Sequence, residues 1–452
     1  MRLLDLYAPS PARQRRLQRF ARPLTILLSL LAAAYFGFLF TRGKYQDWYH
    51  LYHGIYAVMH GTDPYQSGMQ GYIYPPFFAV VFAPLGLLSQ GTSGFVFAIM
   101  SGVMMLAALW LIARETCRLL GLGEQSWRVW TIALAGLLFN ADKLRAVLYS
   151  GQSDHLVMLL LASGFALVRR WPFLAGLCVG LASVVKYQSL IFLPYFVLRR
   201  RWHEAMGMLA GFAGGLLVGV PVFGWQTNLS YLARSFRGLA SMVGLSVADA
   251  TPVHPMTWYA SVSIASALAR ITHYPANKPL FIALYIAVAI ACLASVAWMY
   301  RRVAVDVGLG EPLFVGRYGQ AERSLARGTL TALEWSGLII VAIVFSPQSV
   351  GRHFVLAVFP LMLAAALLLH PRSSISGTRV SRTWLVAGLI VYVAGLTLPP
   401  GNSIYEPWLK QWKHIGGASW CALFMFFTLV AHALAWGKAH QTSGTIAGTK
   451  NQ

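Results

Sequence analysis

The chain has 452 residues, of which 57% are hydrophobic and only 11% charged. A soluble protein carries about 25% charged residues, so the composition excludes a soluble globular enzyme and implies an integral membrane protein. The net charge is +22, from 36 Lys+Arg against 14 Asp+Glu; the basic residues sit in short loops between apolar runs, as the positive-inside rule produces, and no nucleic-acid partner is expected.

The apolar runs are long and many, which favours helices over the short alternating strands of an outer-membrane barrel. In lipid every backbone polar group must be satisfied internally, which leaves an all-α bundle. Residues 1–22 form a basic cytoplasmic segment ahead of a first span at 23–40. That run lacks the short apolar core and small-residue cleavage site of a signal peptide and reads as a retained helix. Further spans are expected near 93–113, 129–148, 155–169, 173–185, 187–198, 205–225, 279–300, 330–346, 351–370, 383–399 and 416–437. Arg114/Arg118/Arg128, Arg169/Arg170, Arg199/Arg200/Arg201, Arg301/Arg302 and Arg372/Arg379/Arg382 mark the cytoplasmic side.

One further apolar segment is not expected to cross. If "YPPFFAVVFAPLGLLS" (74–89) crossed as well, the Arg114–Arg128 loop would face outward. Its Pro75, Pro76 and Pro84 disfavour a continuous helix, so it is expected to be a half-embedded helix on the outer face. About twelve spans then fill a transmembrane domain over 23–437, with a first outer loop at 41–92 and a large outer loop at 226–278. Residues 438–452 are polar and small and are expected to be a flexible cytoplasmic tail. Cys117, Cys178, Cys292 and Cys421 lie far apart, so neither a disulfide framework nor a metal site is expected.

On this topology the outward carboxylates are Asp47, Asp63, Asp142, Asp154, Asp249 and Glu406, and the rest, Glu334 among them, fall on the cytoplasmic side. None sits deep in a span unless Asp142 does, which disfavours a proton-coupled transporter with an intramembrane acidic relay. Asp47 lies just beyond the first span among Tyr45, Trp48, Tyr49 and Tyr52. A carboxylate walled by aromatics can be a general base with a pKa raised by desolvation; it can equally be a solvated member of an interfacial aromatic belt. Asp63, in "HGTDPY", suits a turn. "YSGQSDH" (149–155) opens a span with Gln152 and Asp154, where capping and anion binding are both natural. Lys186 interrupts an apolar run, as a functional cation or as one that snorkels to the surface. The turn "SPQSVGRHF" (346–354) carries Arg352 and His353, both suited to phosphate. One base, several cations and a belt of aromatics suit a sugar and a lipid phosphate.

The ordered series "GTDPY", "YIYPPFFAVVFAPLGLLS", "GQSDHLVMLLL", "AGLCVGLASVVKYQSLIFLPYFVLRRRW" and "FSPQSVGRHFVLAVFP" resembles glycosyltransferase family 87, within the multi-spanning GT-C superfamily. The resemblance implies a GT-C-like bundle and an inverting hexosyl transfer, with mannose as the hexose in characterised members. The donor would be a polyprenyl-phosphate sugar and the acceptor a hydroxyl of a lipid-linked or cell-envelope glycan. The reaction would face the extracytoplasmic side of a bacterial cytoplasmic membrane, with no cofactor and no metal. Asp47 aligns with the family's base, while Lys186, Arg352 and His353 are expected at the donor phosphate. Tyr45, Trp48, Asp63, Tyr74, Gln152 and Asp154 are expected to contact substrate.

The chain departs from the family pattern in several places. Val350 replaces a Trp, Arg352 stands where the first of a His pair would be, and Asp154 replaces an Asn. The prolines that usually follow Lys186 are absent. These changes leave open another lipid-linked sugar, such as arabinose or an aminosugar. From a different class, a lipid or glycolipid transporter would show inverted repeats and broken helices at the midplane, and neither is visible in the sequence.

Overall fold

Apolar runs free of interior proline and charge become long helices here, and each interruption becomes a break that positions something. The computed structural model describes residues 45–65, 72–245, 253–303, 320–370, 379–396 and 406–448, with parts of 23–38, which are helical. The basic segment 1–22 lies outside these residues. Among the described residues six helices are long and apolar enough to cross a membrane: Gln90–Leu119, Trp202–Phe223, Lys278–Arg302, Leu325–Val344, Gly351–Leu369 and Gly417–Ala435. Five shorter apolar helices accompany them, and among the described residues the one β feature is an isolated bridge between Ser261 and Val350. The fold is an all-α membrane bundle, as expected.

The proline-rich segment forms two short pieces, a five-residue helix Phe77–Val81 and a five-residue 3-10 turn Ala83–Leu87. At 1.5 and 2.0 Å per residue these extend to about 20 Å, short of the ~30 Å hydrocarbon core, so the segment does not cross.

Two expectations need correction. The expected span 129–148 is two helices, Ser126–Phe139 and Ala141–Ser150, broken at Asn140. Asn140 Nδ2 donates to the carbonyls of Phe354 and Val355, both at 3.0 Å. That bond draws the chain aside, and the charged Asp142, Lys143 and Arg145 that follow would be costly in a lipid-exposed span. Glu334 lies within a span, where no carboxylate other than Asp142 was expected. It is buried within the helix Gln320–Val344, paired with Arg199 and accepting from Tyr195 Oη and Tyr300 Oη at 2.5 Å each. With both carboxylate oxygens engaged, it reads as a structural pair rather than a relay. The last helix, Gly417–Gly448, extends beyond its membrane-length apolar stretch, Gly417–Ala435.

The tightest helix contact joins Pro172–Val185 to Trp202–Leu217, and glycines make it. A Cβ on Gly176 would lie 1.9 Å from the Glu204 carbonyl oxygen, and one on Gly207 would lie 2.0 Å from that of Phe173. Gly180 and Gly211 face backbone carbonyls in the same way. Lipid tails are as apolar as leucine, so helices in a membrane associate by close backbone packing, and small residues four apart allow it. This pair carries Lys186 at its end, so its packing sets where that cation sits. Gly207→Ala is therefore expected to lower stability by about 1–3 kcal/mol, read as thermal unfolding in detergent. Gly214→Ala, where a Cβ meets nothing within 4 Å, should be neutral or slightly stabilising; equal behaviour of the two variants would contradict the packing account.

Candidate active site

A cavity of about 1180 Å³ opens among the helix breaks, and Asp47, Tyr74, Gln152, Lys186, Arg352 and His353 all line it. These residues come from five separate stretches of chain. Six of the ten expected site residues are thus gathered at one place.

Asp47 is placed by backbone bonds. Its N–H donates to the Ser150 carbonyl at 3.0 Å, and that of Tyr45 donates to the Tyr149 carbonyl at 3.0 Å. The segment is thereby pinned along the end of Ala141–Ser150, just before the helix Trp48–His60 begins. Gly151 makes the approach possible: it is left-handed, with φ 72°, and a Cβ there would lie 2.8 Å from the Trp48 Cβ. Trp48 is 1% exposed and stacks on Phe97 at 4.2 Å. Tyr45 lies with it against Gly94. Both aromatics wedge Asp47 into position from behind and do not line the cavity.

The Ser-Pro turn is braced from three sides. Ser346 Oγ donates to the Gln348 carbonyl and Ser349 Oγ to the Ile343 carbonyl, both at 2.6 Å. The Val262 N–H donates to the Ser349 carbonyl at 2.7 Å. Gln188 Nε2 reaches Ser346 Oγ and Ser349 Oγ at 3.1 Å each and lies 3.3 Å from His353 Nδ1. Arg352 and His353 therefore face the cavity from a rigid 3-10 turn, Gly351–Ala357.

Two ion pairs order the charge. Lys186 Nζ meets Asp154 Oδ1 at 2.8 Å with side chains 7% and 1% exposed, and Arg352 Nη1 meets Asp47 Oδ2 at 3.0 Å. Asp154 is behind Lys186 rather than on the cavity wall. Burial pulls the Lys186 pKa down, and the Asp154 carboxylate opposes that shift. Asp47 faces a guanidinium where the sequence suggested an aromatic wall. Tyr74 has its pKa raised, first by burial and then by the nearby Asp154 carboxylate, so it remains a neutral phenol able to donate a hydrogen bond. Gln152 Oε1, Asp154 Oδ2 and Arg352 Nε are buried without a hydrogen-bond partner in the protein; buried polar atoms are normally satisfied, and those of Gln152 and Arg352 belong to residues on the cavity wall.

Asp63 is not at the cavity. Its Oδ1 accepts from the Tyr65 N–H at 2.8 Å and its Oδ2 pairs with Arg234 at 2.7 Å. It ties the first loop to the amphipathic helix Trp225–Met242.

His50, Lys143, Arg145 and Gln188 also line the cavity and were not singled out in the sequence. His50 follows Asp47 by three positions, a spacing that puts both on one helical face, so a signal was present. Lys143 and Arg145 were hidden inside a run read as a span. Gln188 carries no sequence signal beyond its nearness to Lys186. Phe212, Leu216, Phe236 and Leu239 give the cavity apolar lining, and Trp258, also on its wall, stacks on His254 at 3.9 Å. The wall thus offers a carboxylate, clustered cations and an apolar trough.

The sequence profile of glycosyltransferase family 87 matches residues 72–315. The chain is 28% identical over 410 residues to a polyprenol-phosphate-mannose-dependent alpha-(1-2)-phosphatidylinositol pentamannoside mannosyltransferase of Mycolicibacterium smegmatis, covering 88% of each protein. It is 26% identical over 425 residues, 89% of each, to a polyprenol-phosphate-mannose-dependent alpha-(1-2)-phosphatidylinositol mannoside mannosyltransferase of Mycobacterium tuberculosis. No solved structure matches the chain. With the profile spanning more than half of its length, the chain belongs to glycosyltransferase family 87.

Proposed function

We propose that this glycosyltransferase moves mannose from a polyprenyl-phosphate donor to a hydroxyl of a phosphatidylinositol-mannoside-like glycolipid, on the extracytoplasmic side of the cytoplasmic membrane. The observation that carries the reading is the gathering of Asp47, Lys186, Arg352 and His353 on one cavity wall. The names of the relatives support the donor and the class of acceptor. The charge pattern of the loops supports the sidedness.

Asp47 is the general base. It takes the proton of the acceptor hydroxyl, whose oxygen attacks the anomeric carbon with inversion, and the bond from that carbon to the phosphate oxygen breaks. The transition state resembles an oxocarbenium ion. The departing lipid phosphate keeps the electron pair, so no general acid is required. Lys186 and Arg352 neutralise the phosphate, His353 adds a hydrogen bond, and preorganised charge of this kind is commonly the largest catalytic contribution. Tyr74 and Gln152 orient the sugar. The trough of Phe212, Leu216, Phe236 and Leu239 takes the first isoprene units.

Two measurements follow. In membranes supplied with radiolabelled polyprenyl-phosphate-mannose and a phosphatidylinositol mannoside, Asp47→Asn should lower transfer by about 10²-fold or more; undiminished transfer would return Asp47 to an interfacial belt. Loss of mannose transfer in the wild type, with transfer from an arabinose or aminosugar donor, would replace the sugar and leave the roles standing. The second concerns the buried pair. Asp154→Asn alone leaves Lys186 uncompensated and should cost about 3 kcal/mol or more, read as thermal unfolding. Asp154→Leu combined with Lys186→Met should recover most of that stability while transfer stays abolished. Wild-type transfer by the double variant would remove Lys186 from the phosphate site.

A further inference from the structure

Arg352 holds two prospective partners within reach. Its Nη1 bonds Asp47 Oδ2 at 3.0 Å, with side chains 29% and 24% exposed, while its Nε has no partner in the protein. The other cations near the reacting groups are differently occupied. Lys186 is locked to the enclosed Asp154. Lys143 is divided between Asp142 and the Leu396 carbonyl, both at 2.8 Å. Among the described residues, Arg352 is the cation that touches the proposed base.

The reaction moves charge along this line. Before transfer Asp47 is an anion and the donor phosphodiester carries one negative charge. As the acceptor O–H breaks, its proton passes to Asp47, which becomes neutral. As the bond between the anomeric carbon and the phosphate oxygen breaks, the electron pair stays on the phosphate, which gains one negative charge. One unit of negative charge has in effect crossed from Asp47 to the phosphate. A guanidinium forks to either anion, and its stronger partner changes during the reaction.

We propose that Arg352 is the shared counter-ion of the base and the leaving phosphate. Asp47 holds it before the donor binds, and the donor phosphate then draws it away. Asp47 is free to engage the acceptor hydroxyl only after that exchange, so the donor binds first. The long arm and forked donors of Arg352 suit a change of partner. The inference rests on the donor reading given above.

The test is binding of polyprenyl phosphate to the purified full-length protein, with no acceptor present. In the wild type Asp47 competes with the phosphate for Arg352, so Asp47→Asn should tighten binding by at least about fivefold. In an Arg352→Gln background the same Asp47→Asn change should alter affinity little, because no shared cation remains. Arg352→Met provides a second uncharged background should the Gln variant not fold. Equal tightening in both backgrounds would mean only that a nearby negative charge had been removed, and would overturn the shared role. Unchanged affinity on Asp47→Asn would overturn it too. In both cases polyprenyl phosphate still binds and the donor reading survives. Failure of the wild type to bind polyprenyl phosphate would instead remove the donor reading, and this inference with it.

Discussion

The structure turns on one buried ion pair, Lys186 with Asp154. Enclosing each ion costs several kcal/mol, and only close geometry with a partner offsets it. Here the partners come from the ends of two helices, Pro172–Val185 and Asp154–Leu167, so the pair fixes the relative height of both. The glycine contact between Pro172–Val185 and Trp202–Leu217 holds the lysine's helix from the other side. A cation placed this firmly beside a cavity can face a lipid phosphate without the surroundings reorganising when it arrives.

The cavity exists because several helices stop early. Asn140 breaks one run, Gly151 turns the chain left-handed, and Lys186 ends another helix in extended backbone before a 3-10 turn. Each break leaves backbone groups that a continuous helix would have used, and side chains satisfy them: Asn140 at Phe354 and Val355, and Ser349 at Ile343. In a membrane such irregular backbone is tolerated where it is buried in protein or lines a water-filled cavity. The polar residues required by the chemistry therefore collect where the helices are interrupted, and the uninterrupted stretches, such as Lys278–Val303, are left to face lipid.

Much of this was legible in the sequence, for physical reasons. Scarce charges in an apolar chain are informative, so Asp47, Lys186, Arg352 and His353 stood out before any contact was known. Periodicity and loop charge fixed the helical class and excluded a crossing at 74–89. What was not legible depended on long-range contact. A run such as 129–148 looks like one span until Phe354 and Val355 are available to pull on Asn140. Glu334 looks like a residue of the cytoplasmic side until Arg199 and two tyrosines surround it within a span. Trp48 and Asp63 carried the right chemistry for a substrate, but the fold uses one as a wedge and the other as a tie to Arg234. Sequence shows which residues are costly to place, and the structure shows which partner makes each placement affordable.

The central claim is that Lys186, Arg352 and His353 form the donor phosphate site. The most direct test is an electron cryo-microscopy structure of the full-length protein with polyprenyl phosphate. The account predicts phosphate density within hydrogen-bond distance of Lys186 and Arg352, with the lipid running along Phe212, Leu216 and Leu239. Phosphate density against Lys143, Arg145 and Lys413 instead, with Lys186 and Arg352 not engaged, would contradict it.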